Sequence, residues 1–272
     1  MVCTERTPRV AAARQLARRA GRTRAGRFLA EGAQAVREAL RWAAEGRGTV
    51  HELFFTAPAA ERNPELLDAA RAAGVPLSEI TERAAAGLSE TVTPQGVVAV
   101  CDTVDVSVEQ ALAGRPKLVA VLVGVADPGN AGTVSRVADA AGADAVLFAG
   151  DTVDPHNGKC VRASTGSLFH LPIARERDLT AVLDACRAAG LRLVAADGYA
   201  EHDLDTAAVR GTLDEPTAWL FGSEAHGVPQ EVLDTADESL RVPIYGGAES
   251  LNLATAAAVC LYASARAQRV RS

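Results

Sequence analysis

Two spacings of apolar residues alternate along the chain. In "FLAEGAQAVREALRWAAEG" (28–46) apolar side chains recur at Ala33, Val36, Leu40 and Ala43, a helical period that stops at Gly46. "AAARQLARR" (11–19) also reads as a helix, and a strongly basic one. "VHELFFT" (50–56) and "GVVAVCDTV" (96–104) read as buried strands. Between them "NPELLDAARAAG" (63–74) carries an Asn cap, a Pro at the first helical position and a terminal Gly. This alternation predicts a small α/β domain over residues 1–104. The stretch "DVSVEQALAGRP" (105–116) is the expected linker.

From residue 117 to 272 the rhythm repeats. Strands are expected at 117–125, 144–150, 191–197, 217–222 and 239–244, with helices at 130–141, 157–168, 178–189, 229–235 and 251–267. Near-continuous apolar strands between helices predict a parallel sheet covered on both faces. The last helix is dense in Ala, and its pattern places Asn252 one step inside it.

Composition narrows the class. Hydrophobic residues make up 48% and charged residues 23%, ordinary values for a soluble globular protein. No apolar run reaches the roughly 18 residues of a membrane span, and no apolar stretch follows the first basic residues as in a secretory signal. The five cysteines (Cys3, Cys101, Cys160, Cys186, Cys260) are scattered. That spacing argues against a disulfide framework or a zinc ribbon and fits a reducing cytoplasm. The net charge of -6 hides an asymmetry: residues 1–47 carry eleven Arg against four Glu, a net of +7, which leaves -13 for the remainder. A basic segment on an acidic chain is a candidate nucleic-acid surface, and a solvated basic helix would look the same.

Three polar, Gly-containing loops follow expected strands: "GVADPGNAGTVSR" (124–136), "FGSEAHG" (221–227) and "VPIYGGAESLN" (242–252). In open α/β sheets ligands bind beyond the C-terminal ends of the strands. Neither GxGxxG nor Gly-Lys-Ser/Thr occurs in the first loop, which argues against a dinucleotide fold and a P-loop. It offers instead Asn130 near a helix start and Arg136 on the first or second turn, a pair suited to phosphate or carboxylate. The plainer alternative makes Asn130 a helix cap and Arg136 a surface charge. In the second loop Gly222 and Ser223 leave room for a ligand to approach the backbone, and Glu224 is either a ligand group or an acid favoured near a helix start. His226 has no clustered His or Cys partner, and no metal site is expected.

Together, in this order and spacing, the loops resemble the signature of the SpoU/TrmH family of RNA ribose 2'-O-methyltransferases, within the SPOUT superfamily. "NAGTVSRVADAAGA" (130–143) matches the family's first motif, "FGSEAHG" (221–227) the second, and "RVPIYGGAESLNLATAAA" (241–258) the third. "NGKCVRASTGSLFHLPI" (157–173) matches the stretch between the first two. Upstream, "GRFLAEGAQAVREAL" (26–40) and "TPQGVVAV" (93–100) resemble the family's ribosomal-protein-like substrate-binding domain. Val242 departs from the usual Ile, Ile244–Tyr245 from Met–Ala, and Leu-Ala-Thr follows Asn252 in place of Val-Ser.

The resemblance implies an α/β catalytic domain with a deep trefoil knot, S-adenosylmethionine as methyl donor, RNA as substrate and a cytoplasmic homodimer. It implies Arg136, Asn130, Glu224, Ser250 and Asn252 as the catalytic set. Gly222, Ser223, Glu224, Val242, Ile244 and Leu251 would hold the donor. Arg18, Arg19, Arg22, Arg24 and Arg27, with Arg162 nearer the active site, are the expected RNA contacts. Two other classes compete: a non-catalytic RNA-binding or ribosome-assembly protein on the same fold, and a nucleotide-linked dehydrogenase, which the missing GxGxxG disfavours. The sequence leaves open whether the RNA is ribosomal or transfer RNA, and whether Arg136 acts in its own chain or across the dimer.

Overall fold

A computed structural model describes residues 2–270. The chain starts with α1 (Pro8–Arg14), a short 3-10 turn and α2 (Arg19–Ala25), then β1 (Arg27–Glu31) and α3 (Ala33–Ala44). Next come β2 (Val50–Phe55), α4 (Ala57–Arg62), α5 (Pro64–Ala72), β3 (Leu77–Glu79), α6 (Glu82–Leu88) and β4 (Val97–Asp102). There follow β5 (Asp105–Val106), α7 (Val108–Ala111), β6 (Leu118–Val123), α8 (Pro128–Ala141), β7 (Ala145–Ala149), α9 (Gly158–Ser164), β8 (Ile173–Glu176) and α10 (Leu179–Ala188). The last elements are β9 (Arg192–Ala196), β10 (His202–Asp203), α11 (Leu204–Arg210), β11 (Thr217–Phe221), α12 (Gln230–Leu233), β12 (Glu238–Arg241) and α13 (Leu253–Val270).

The chain divides into two compact units. The first holds residues up to Val104 together with Asp154–His170; the second holds Asp105–Val153 and everything from Leu171 on.

The first unit is built on a four-stranded sheet in the order β1-β4-β2-β3. One face packs Leu29, Phe54, Val98 and Val100 against Val10, Ala13 and Leu16 of the N-terminal helices and Ala84, Ala85 and Leu88 of α6. "RFLAE" at the head of the expected long helix is strand β1, paired antiparallel with β4. Gly32, at φ +97°, turns the chain from strand into α3. Helical and strand periods cannot be told apart over five residues, so the 3.6 period of α3 reads on through β1 in the sequence. Asn63 does not cap α5 with its side chain; its amide donates to the Ala59 carbonyl at 2.9 Å.

The second unit is an eight-stranded sheet in the order β10-β12-β9-β11-β6-β7-β8-β5, parallel at every pairing. Val119, Val121, Leu147, Leu193 and Leu220 lie in its buried core. This is the expected parallel α/β sheet. The stretch 105–116, expected to be a linker, is part of this unit: β5 joins the sheet beside β8, and Ser107 and Gln110 form a capping box on α7. Two residues of strand and one helical turn are too short to carry a readable period. Conversely, Asp154–His170 leaves the second half of the sequence to pack within the first unit.

That packing has a polar centre within the first unit. Asp154 accepts from Arg22 Nε at 2.9 Å and Nη2 at 2.8 Å, and Arg22 Nη1 also donates to the Leu16 and Ala17 carbonyls. Burial opposes the Asp154 charge, but the hydrogen bond and charge of His156 and the Arg22 guanidinium outweigh it and hold the carboxyl well below the usual carboxylate range. Phe28 packs against His156 and Phe169.

Candidate active site

In the second unit β12, β9, β11 and β6 end side by side: Leu240 pairs with Ala196, Ala196 with Phe221, and Phe221 with Leu122. Neighbouring strands stand about 4.8 Å apart, so the loops that follow them emerge as one row. Those loops are the three singled out above, together with 197–201, which the sequence did not mark.

The first loop enters α8, and the cap of that helix is Asp127, whose Oδ1 accepts the Asn130 N–H at 2.8 Å. Asn130 is therefore not the cap, and its side chain is available for other contacts. Its Nδ2 donates to Glu224 Oε1 at 2.5 Å, and its Oδ1 accepts from Asn252 Nδ2 at 3.0 Å. Asn252 Oδ1 in turn accepts the N–H groups of Ala254 at 2.9 Å and Thr255 at 3.3 Å. Asn252 thus caps α13 from outside, not from one step inside. The backbone donors of α13 orient the whole relay: they take the Asn252 oxygen, which turns its NH₂ to the Asn130 oxygen and the Asn130 NH₂ to Glu224. Three residues distant in sequence, one from each motif, are joined in one chain of hydrogen bonds.

Gly222 is buried, and a Cβ there would lie 2.0 Å from the Gly227 carbonyl carbon. The loop folds back on itself, with Ser223 bridged to Gly227 and the His226 N–H donating to Ser223 Oγ at 3.3 Å. The glycine is demanded by this hairpin, not only by a ligand, and Ser223 Oγ serves it too. Val242 and Leu251 line a groove of about 910 Å³ with Pro243, Leu204, Ala208 and Val259. Ile244, 39% exposed, and Ser250, exposed, lie on the same loop.

Arg136 is exposed on the third turn of α8, not the first or second. Six residues beyond Asn130, it lies about 9 Å further along the helix and about 120° round it. The hydrogen-bond relay unites Asn130, Glu224 and Asn252, and Arg136 stands on another side of the helix.

The basic residues separate into two kinds. Arg14, Arg18, Arg19, Arg24 and Arg27 are exposed in the first unit. Arg22, expected among the RNA contacts, is 4% exposed and committed to Asp154. A guanidinium so placed is a structural ion pair and does not reach phosphate. Arg162, expected nearer the active site, belongs to the first unit, whereas the site loops belong to the second, and it pairs with Glu31 at 3.2 Å and Glu90 at 3.9 Å. Among the described residues no group of three or more His, Cys, Asp or Glu could hold a metal, and no helix is long and apolar enough to cross a membrane.

Comparison with known proteins agrees with this arrangement. The model of the SpoU rRNA methylase family matches residues 117–262, and that of the MRM3-like substrate binding domain matches residues 7–99. The 23S rRNA (guanosine(2553)-2'-O)-methyltransferase RlmP of Bacillus subtilis (strain 168) is 36% identical over 244 residues, covering 89% of each chain. The crystal structure of the SpoU methyltransferase AviRb from Streptomyces viridochromogenes, in complex with the cofactor AdoMet, superposes with a TM-score of 0.80 at 32% identity, over 98% of this chain and 100% of that one. An AdoMet-bound rRNA methyltransferase from Sinorhizobium meliloti does so with a TM-score of 0.81 at 30% identity, over 97% and 98%. With the family model matching residues 117–262 and full-length relatives sharing both units, the chain belongs to the SpoU rRNA methylase family.

Proposed function

We propose that this protein transfers a methyl group from S-adenosylmethionine to a ribose 2'-hydroxyl of ribosomal RNA, as a homodimer in the cytoplasm. The observation that carries the reading is the Glu224–Asn130–Asn252 relay, which draws all three motifs of the family to one end of the parallel sheet. A non-catalytic assembly protein on this fold would have no need to keep that polar set together.

The residues fit the donor. An apolar groove of several hundred Å³ with few polar groups is what an adenosine-sized ligand requires, and Val242 and Leu251 face such a groove. Gly222, Ser223, Glu224 and Ile244 complete the donor-binding set from the adjoining loops. When bound, S-adenosylmethionine supplies a methyl group already activated on a sulfonium. The chain's own work is to align a hydroxyl and stabilise the oxygen as it loses its proton. Asn130, Glu224, Ser250 and Asn252 supply the hydrogen bonds. Arg136 acts as a clamp on the target phosphate and the developing alkoxide; a guanidinium does not deprotonate in a protein, so it is not the base.

Two features support the dimer. The last helix leaves Val259 40% and Tyr262 51% exposed, an apolar strip that a second copy would cover. Arg136 points away from the Asn130 side of its own helix, which suits service across an interface. The expected knot is supported by the path of the chain, which leaves β11, crosses β9 to form β12 and returns as α13 to pack on α8. The exposed arginines of the first unit would hold RNA phosphates, which set affinity more than sequence preference.

The test is calorimetry with S-adenosylmethionine and with NAD, followed by mapping of 2'-O-methyl sites in ribosomal RNA from a deletion strain. Donor binding and the disappearance of one methyl site are expected. Binding of NAD alone, or an unchanged methylation map, would remove the reading.

A further inference from the structure

The chain has few aromatic residues, 4% of the total, and it uses them in two ways. Every Phe and Trp is buried or half-buried, whereas all three Tyr are exposed and lie in the second unit. Tyr245 is held by Asp205, to which its hydroxyl donates at 2.6 Å. Tyr262 belongs to the apolar strip on α13. Tyr199 is different: it is 98% exposed, on the loop after β9.

The place of that loop is set by strand order. β9 lies between β12 and β11, so residues 197–201 emerge between the second and third motifs. Ala196 and Phe221 are paired, and each ends its strand. Tyr199 and Glu224 are each the third residue beyond that pair. Three residues of chain reach at most about 10 Å and the two strand ends lie about 4.8 Å apart, so both stand on the same rim, at most about 25 Å from each other. The loop is also fixed. The Ala200 N–H closes a turn on the Asp197 carbonyl at 3.1 Å, and Asp197 Oδ1 accepts the Tyr199 N–H at 3.2 Å. From β12, Arg241 Nη1 donates to the Ala200 and Glu201 carbonyls at 2.6 and 2.5 Å, and its Nη2 pairs with Asp203. The backbone is pinned while the ring stands in water.

Charge says what the ring is for. Residues 105–153 and 171–272 carry 21 acidic against 12 basic side chains, a net of -9. A unit of that net charge gains little general attraction for RNA phosphates beyond the single clamp assigned to Arg136. Stacking on a base needs no charge, and sequence-specific recognition of RNA targets loops and bulges whose unstacked bases lie on aromatic side chains. We propose that Tyr199 is a stacking platform for an unstacked nucleobase at or beside the methylated nucleotide, and so determines where on the RNA the second unit settles. This rests on the methyl-transfer reading above.

The experiment compares wild type with Tyr199→Ala, Tyr199→Phe and Tyr199→Trp on ribosomal RNA from a strain lacking the gene. Single-turnover methylation, RNA binding, donor calorimetry and oligomeric state are read for each. Loss of one stacked base predicts a fall of roughly ten- to a hundredfold in kcat/KM for RNA with Ala, and near-normal values with Phe and Trp. Donor affinity and oligomeric state should not move. Wild-type kcat/KM in Tyr199→Ala overturns the proposal. So does an equal loss of donor affinity, which would place the donor's adenine on the ring, or a change of oligomeric state, which would make it a contact between copies. RNA affinity is read without turnover, so an inactive wild type would count against the methyl-transfer reading while Tyr199 is still tested.

Discussion

Asn252 does two jobs with two atoms, and substitution can separate them. Its Oδ1 caps α13 and its Nδ2 holds Asn130. Asn252→Ala removes both. Loss of an Asn cap costs about 1 kcal/mol, and loss of the amide–amide hydrogen bond about 1 kcal/mol more in the alignment of the site, or roughly a five- to tenfold loss of turnover. Asn252→Asp keeps a capping oxygen, since Asp and Asn cap equally well. It replaces the donor to Asn130 with a second acceptor, at a position that was 3.0 Å from the Asn130 oxygen. Two acceptors cannot share that hydrogen bond, so Asn130 must turn over, and its NH₂ then leaves Glu224. Asn252→Asp should therefore denature in urea within a few tenths of a kcal/mol of wild type yet lose on the order of a hundredfold in turnover. Asn252→Ala should lose stability and less turnover. The assays are urea denaturation and single-turnover methylation at saturating donor. If the Asp variant turns over normally, or loses as much stability as Ala, the relay does not work as described.

Three further outcomes are expected. Arg136→Ala should cut turnover by about 10²–10³ while sparing donor affinity, and Arg136→Lys should rescue little, because a point charge does not replace a planar fork; single-turnover kinetics beside donor calorimetry check it. Replacing Arg18, Arg19, Arg24 and Arg27 should flatten the salt dependence of RNA binding, by nearly one unit of slope for each phosphate no longer neutralised, whereas Arg22→Ala should cost stability instead, by about 3–5 kcal/mol as a broken buried pair. The Asp154 carboxyl is depressed in the folded state, so its contribution is present above the unfolded carboxylate range near pH 4 and is lost as pH falls through that range towards its folded value. Urea titrations of wild type and Asp154→Asn should accordingly diverge at neutral pH and converge in acid.

The sequence by itself determined the alternation of strands and helices, the parallel sheet, the three loops beyond its strand ends and the family they resemble. These are local or periodic properties: a buried strand such as 118–123 is apolar at every position, and the motifs are contiguous. It also marked Asn130, Glu224 and Asn252, though it left open that Asn130 is only a helix cap and put Asn252 within a helix. That Asn130 only bridges, while Asn252 caps as well as bridges, depends on Asp127 and on where α13 begins, and those are settled by hydrogen bonds to backbone groups. Only the tertiary structure decided the rest. Arg22 looks like its exposed neighbours along the chain, and its partner Asp154 is 132 residues away. Residues 154–170 read as part of the second half, yet pack within the first unit because Phe28, Phe169, Arg22 and Asp154 form one buried cluster there. Tyr199 carries no motif; it is set between two motifs by the order of strands in the sheet, and strand order arises from long-range pairing that no local pattern encodes.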